Sequence, residues 1–417
     1  MPIGYLFTIG LLGVCTAAAL IPPPGYGRAG RISCFLAVVI SEVPHFGALW
    51  LILSTALALS EGDLDGPVGT VLLALSAIIL LGLLVVLRRC LLARSVVTAL
   101  IRAHTEPRRG STSSAPPPRW TWLRPLLFPV PLRPRSVMRI GGLSYGEHRR
   151  QRLDVYRFRN QTLSGPVLVY FHGGGYSSGG NRREARALLH HLAARGWVCI
   201  SATYRLRPKA DFTDHLDDAR AVLRWTRDNG VLHGGDASTI VMAGSSAGAH
   251  LTSLIALGQG ADVGPPLSEE AELTHDELTT PRIAAALCLY GYYGRYYGRS
   301  EDEHPVSTPL AMDASAAPPM FFVHGDNDSW APIDDARELS KQVATASSQP
   351  TWYAEFPGGQ HGLDSLFSWR FAAVVHGFDR FLAHIGIAPQ PHPNPPQPQA
   401  LPTQQPSTHR IGEGAES

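Results

Sequence analysis

The sequence predicts an α/β fold in which a mainly parallel sheet carries helices on both faces, preceded by an N-terminal bundle of about three transmembrane helices. Three observations carry this expectation. From about residue 150 to 385, short β-forming runs alternate with helical stretches. Charged residues almost vanish from three apolar stretches within the first hundred positions. Segments rich in proline, which cannot bury a core, separate these two regions and close the chain.

The apolar stretches run from about 3 to 21, 35 to 59 and 68 to 87. Each holds about 20 residues or more, and at ~1.5 Å per residue that length crosses a ~30 Å hydrocarbon layer. No positive charge precedes the first, so it reads as an anchor in preference to a secretory signal peptide, although "CTAAAL" has the character of a cleavage region. The second contains Glu42, Pro44 and His45; Glu42 and His45 are spaced to share a helix face and to pair within the bundle, unless the segment dips only to the interface. Arginines give the orientation. Arg28 and Arg31 follow the first stretch, Arg88, Arg89, Arg94 and Arg102 follow the third, and the intervening loop "EGDLDG" has no basic residue. Short loops bearing Lys or Arg stay cytoplasmic, which predicts an outside N-terminus and a cytoplasmic catalytic domain in a multi-pass protein of the cell membrane.

The organisation expected is therefore a transmembrane region at 1–102, a Pro/Ser/Arg-rich linker at 103–134 with Trp120, Trp122 and Leu126 to Phe128 at headgroup level, a catalytic domain at 135–387, and a disordered Pro/Gln-rich tail at 388–417. The net charge is +2, and all the basic residues except Lys209 and Lys341 are arginines scattered along the chain, so no nucleic-acid partner is expected. The five cysteines form neither a disulfide framework nor a zinc-binding pair, and Cys199 and Cys288 fall inside expected strands as small core residues.

Within the catalytic region the strands are expected at "RLDVYRF", "PVLVYFH", "WVCISATY", "STIVMAG", "IAAALCLYG", "PMFFVHG" and "TWYAEFPG", with helices near 182–194, 214–228, 247–257, 334–344 and 365–385. Such alternation makes a parallel sheet covered on both faces, whose ligands bind at the carboxyl ends of the strands.

The chemistry sits at those ends. "STIVMA" runs into "GSSAG" and then a helix, the strand, sharp turn and helix that a G-x-S-x-G elbow requires; Gly244 and Gly248 let the turn close and Ser246 projects from its apex as the nucleophile. A serine hydroxyl needs a base and a group to orient that base. Later strand ends offer Asp328 in "HGDND" and then His361 in "GGQHG", with Asp326 as the competing acid. Upstream, "YFHGGGYSSGG" gives up its side chains directly after a buried strand. Backbone amides can hold the oxyanion of a tetrahedral intermediate only where no side chain blocks them, which assigns Gly174, Gly175 and Ala247 as donors, each worth ~100 to 1000-fold in rate.

At these residues the chain resembles the α/β-hydrolase esterases of the hormone-sensitive-lipase and carboxylesterase type, over about residues 135–386. The resemblance rests on His172, Gly173, Gly174 and Gly175, on Ser246 in "GSSAG", on Asp328 and on His361; the acid loop "HGDNDSWAP" looks more like that of the peptidase and feruloyl-esterase branches. It implies an α/β-hydrolase sheet and a membrane-anchored serine esterase that cleaves carboxylic esters of small molecules through an acyl-enzyme, without metal or organic cofactor. The short, tyrosine-rich segment after "CLY" favours short acyl chains. A peptidase, amidase or carbohydrate deacetylase on the same fold, and a non-catalytic membrane receptor, are the alternatives.

Overall fold

The computed structural model describes residues 3–23, 27–105, 119–161, 163–258, 281–300 and 306–387. The Pro/Gln-rich tail lies outside the described residues, as does much of the linker.

Among the described residues, eight strands form one sheet: β1 Val137–Ser144, β2 Arg152–Phe158, β3 Gly165–Phe171, β4 Val198–Ala202, β5 Gly235–Ser245, β6 Ala285–Leu289, β7 Met320–Gly325 and β8 Thr351–Phe356. Their order is β1-β2-β4-β3-β5-β6-β7-β8, antiparallel for the first two pairings and parallel from β4 to β8. β3, β4, β6 and β7 are buried along their whole length, which is why their sequences read as apolar runs. β1 escapes the pattern because Gly141 and Gly142 interrupt it, where its register on β2 shifts.

Among the described residues, four helices precede the sheet, α1 Ile3–Leu20, α2 Arg28–Glu42, α3 Pro44–Ser60 and α4 Gly66–His104, and a short helix, α5 Arg119–Leu127, lies in the expected linker. The rest cover the sheet: α6 Arg186–Ala194, α7 Phe212–Asn229, α8 Ala247–Leu257, α9 Ile333–Ala346 and α10 Trp369–His384. One face packs on α7, α8 and α9 through Phe212, Leu216, Leu251 and Leu339. The other packs on α6, α10 and the last turns of α4, where Ala93 and Val97 join a core with Phe371, Phe378 and Phe381. The third apolar stretch is thus the first half of a 39-residue helix whose second half belongs to the hydrolase.

α1 and α4 are each long and apolar enough to cross a membrane, and α2 with α3 makes a third candidate, a pair bent by 85°. The middle stretch is therefore not one straight helix. Pro44 at the start of α3 lacks an N–H and pushes the preceding Val43 out of the helical region, to φ −134° and ψ 54°. The bend separates Glu42 from His45. Glu42 instead meets Arg370 of α10, with Oε1 3.0 Å from Nη1, and accepts a hydrogen bond from Ser368, while the His45 ring packs 4.9 Å from Trp369.

Candidate active site

The turn from β5 into α8 carries Ser246 at φ +54° and ψ −116°, a positive-φ conformation that a non-glycine residue adopts only when its surroundings enforce it. Here they do. A Cβ on Gly244 would lie 2.2 Å from the Gly248 carbonyl carbon, and one on Gly248 would lie 2.1 Å from the Phe171 oxygen, so backbone fills the space on both sides of the turn. The Ser246 amide donates to the Leu289 carbonyl, tying the turn to the end of β6.

Three of the expected residues meet at neighbouring strand ends. The Ser246 Oγ is 2.8 Å from His361 Nε2, and His361 Nδ1 is 2.8 Å from Asp328 Oδ2. Asp328 Oδ1 accepts the amides of Trp330 and Ala331 at 2.8 and 2.9 Å, and His324 Nε2 lies 3.2 Å from Oδ2. Burial alone would raise the Asp328 pKa, but the charge of His361 and the contacts from His324 and His361 outweigh it and hold the carboxyl well below its ordinary range. The histidine therefore faces a fixed negative charge on one nitrogen and the serine on the other. Its ring stacks on Trp330 at 5.7 Å and meets the Tyr290 edge at 4.7 Å. Asp326 stands apart, accepting the Gly358 amide in the turn after β8.

The glycine loop lies across from the elbow. Gly174 adopts φ +107°, and a Cβ there would come within 2.3 Å of the Ser178 oxygen. Gly175 and Ala247 line, with Ser246, Tyr176, Tyr292, Tyr297, Trp330 and Ala331, a cavity of about 30 Å³. His172 stacks on Tyr204 at 4.4 Å and uses Nδ1 to bond the Gly173 oxygen; burial brings its pKa down to about 4, so it is a neutral structural group. His250, one turn after Ser246, gives Nε2–H to the Ser307 and Gly294 carbonyls, which leaves Nδ1 to accept from the Tyr176 hydroxyl at 2.7 Å, and burial likewise brings it to about 4.

Behind the site lies a polar layer that the sequence reading missed. Tyr170 donates to Ser245, Ser245 to Asp364, and Tyr290 to the other Asp364 oxygen. The Glu184 carboxyl accepts the Gly173 amide, next to the two glycines assigned as oxyanion donors. Burial, followed by the charge of Asp364, pushes Glu184 up to about 7, and burial raises Asp364 as well. No local motif marks these residues; only the closeness of Asp364 to His361 in the chain hints at them. Among the described residues no cluster of three His, Cys, Asp or Glu side chains is placed to hold a metal ion.

A family model described as the alpha/beta hydrolase fold matches residues 168–365. A probable carboxylic ester hydrolase of Mycobacterium tuberculosis, LipM, is 33% identical over 93% of this chain and 96% of its own length, a span that takes in most of the N-terminal helices. The esterase LipC of the same organism is 31% identical over 61% of this chain and 67% of its own. Among solved structures, the propionate-bound esterase Est2 of Thermogutta terrifontis shares the fold, with a TM-score of 0.50 and 24% identity over 60% of this chain and 96% of that one.

Proposed function

The chain belongs to the α/β-hydrolase family and is a serine ester hydrolase, and on that premise we propose that it is a membrane-anchored esterase that cleaves short-chain carboxylic esters through an acyl-enzyme on Ser246. The observation that carries the mechanism is the unbroken chain of 2.8 Å contacts from Ser246 through His361 to Asp328 beside the cavity. Ser246 Oγ attacks the ester carbonyl while its proton passes to His361 Nε2, and the imidazolium forms against the Asp328 carboxylate. The amides of Gly174, Gly175 and Ala247 receive the oxyanion. Collapse expels the alcohol with the proton from His361, and water repeats the sequence to release the acid. The small volume of the cavity, about 30 Å³, and its lining by Tyr176, Tyr292, Tyr297 and Trp330 support small acyl groups.

The anchoring has its own support. α1 and α4 suit a bilayer in length and composition, and α3, with 17 residues, reaches about 25 Å at ~1.5 Å per residue. The Ala19 and Leu20 end of α1, the Pro44 end of α3 and the Arg89 level of α4 all border the hydrolase. Three crossings then leave the N-terminus outside and the arginines with the catalytic domain in the cytoplasm. Labelling of the full chain with a fluorophosphonate probe tests the esterase: label is expected on Ser246, and an unlabelled yet folded protein would remove this reading. Fusions of alkaline phosphatase or a fluorescent protein after Gln390 test the topology, with fluorescence and no phosphatase activity expected.

A further inference from the structure

Helix α2 belongs to neither region alone. Its buried stripe, Gly30, Ser33, Cys34, Ala37, Ile40 and Ser41, repeats at helical spacing and runs along the catalytic loops. The Gly30 carbonyl accepts from Ser329, the Cys34 sulfur lies 3.8 Å from the His361 carbonyl oxygen, and the Ser41 carbonyl accepts from Arg370 and Cys90. The start and the middle of the helix thus touch the loops that carry Asp328 and His361, while its end is held by α10 and α4. Phe35 meets Trp330 edge-on at 5.4 Å, and Trp330 both lines the cavity beside Ser246 and stacks on His361.

The opposite stripe is exposed and, after Arg28 and Arg31, apolar: Ile32 is 61% exposed, Phe35 70% and Val39 56%. A helix facing water would carry polar residues there. The surroundings state what this stripe faces. Arg28, Arg31, Arg89 and Arg94 lie on α2 and at the matching level of α4, with Arg89 bonded to the Leu20 carbonyl and Arg94 over Trp122. Guanidinium groups and a tryptophan at the ends of apolar helices mark headgroup depth. Leu126, Leu127 and Phe128 at the end of α5 are exposed beside the same region.

We propose that α2 lies in the headgroup layer and flanks the active-site mouth at Trp330, and that the substrate is an amphiphile resident in that leaflet which presents a short acyl ester to Ser246. The inference rests on the reading of the chain as a membrane-anchored serine esterase. It reconciles the small cavity beside Ser246 with a mouth bordered by exposed apolar side chains: the acyl group enters, and the apolar body of the alcohol stays in the leaflet along Phe35. Water cleaves the acyl C–O bond by way of Ser246, the short acid leaves to the aqueous phase, and the alcohol, having taken the proton, remains in the bilayer.

The test uses the full chain in phosphatidylcholine vesicles doped with 1,2-dioleoyl-3-acetylglycerol, with acetate release compared against hydrolysis of p-nitrophenyl butyrate from water. Acetate release is expected, at a rate that follows the mole fraction of the acetyl ester in the vesicle at fixed bulk ester. The double variant I32S/V39S, whose side chains touch no catalytic group, is expected to lose roughly tenfold or more in kcat/KM toward the vesicle ester, since each serine removes apolar area from the leaflet, while p-nitrophenyl butyrate hydrolysis stays within about twofold and reports that the fold is intact. Wild-type protein that cleaves p-nitrophenyl butyrate but not the vesicle ester, a rate that follows bulk concentration, or an unchanged ratio of the two activities in I32S/V39S would each overturn the inference and leave the esterase standing. Wild-type protein inactive on both esters would overturn the esterase reading itself, and this inference with it.

Discussion

In the hydrolase, large apolar side chains are inside and the buried carboxylates are paired; in the helical bundle that precedes it, large apolar side chains also cover the outside. Trp197, Phe212, Phe321 and Trp352 are buried in the sheet and its helices, and among the charged groups Arg370, Asp328 and Asp364 are enclosed with their partners. In the bundle, Phe7, Val14, Trp50, Leu53, Val71 and Ile78 are exposed, while Thr8, Thr16, Ser41 and Ser76 are buried and Tyr5 reaches Ser76 at 2.7 Å. Water drives the first arrangement by excluding apolar surface. A bilayer exerts no such force between helices, so small and hydroxyl-bearing residues can take the interior and apolar ones the outside. On the proposed membrane anchoring, one chain obeys two solvents, and the Glu42–Arg370 pair sits where they meet.

The largest effects are expected where the hydrolase side is broken at its chemistry. Ser246→Ala is expected to lower kcat by ~10⁴ to 10⁶-fold with the fold intact, and His361→Gln comparably. Asp328→Asn should cost up to ~10⁴-fold through lost imidazole orientation, and Asp326→Asn far less; steady-state kinetics on p-nitrophenyl butyrate measure all four, and a worse effect at Asp326 would move the acid. Across acyl lengths, the same assay should peak at or below about hexanoate, given the limited slot beside Ser246; a maximum at palmitate contradicts the small cavity.

Next in size is the seam. Arg370→Met leaves the Glu42 carboxylate buried without its partner and should cost about 3–5 kcal/mol, most of it recovered when Glu42→Gln is added. Thermal unfolding of the detergent-solubilised variants reads this directly, and additive losses in the double variant would mean the pair is not coupled. The two solvents can also be compared with one substitution. Ile78→Asp on the outer face of α4 should oppose insertion by roughly 2.5–3.5 kcal/mol, whereas Leu232→Asp on the hydrolase surface should stay within about 0.5 kcal/mol. Membrane fractionation with carbonate extraction separates the two, and equal behaviour would deny that the bundle faces lipid.

The smallest effect concerns Glu184. Its pKa is raised from 4.5 to about 7, so between those values the unfolded chain releases a proton that the folded one retains. Its stabilising share is full below pH 4.5 and is lost as pH rises to about 7. Glu184→Gln should remove that slope, a change of roughly 2.5 kcal/mol between pH 5 and pH 8. Urea midpoints of wild type and variant at pH 5 and pH 8 give the difference, and parallel shifts in both proteins would assign the slope to other groups.

The nucleophile elbow, the order of serine, acid and histidine, the apolar stretches and the arginine asymmetry were legible in the sequence because each rests on something local: a turn that admits only glycine, a strand end, a run of side chains long enough to cross a bilayer. β1 was not, since Gly141 and Gly142 erase its alternation and only pairing with β2 makes it a strand. Nor were the layer of Glu184, Asp364, Ser245 and Tyr290 or the partner of Glu42, whose ends lie 119 residues apart at Ser245–Asp364 and 328 apart at Glu42–Arg370. Local pattern decides what a segment becomes, because backbone conformation and solvent are set within a few residues. Which buried carboxylate meets which donor, and that α2 lies along the catalytic loops before the chain turns at Pro44, is decided only when the sheet brings distant strand ends together and desolvation makes each buried carboxylate there costly without a partner.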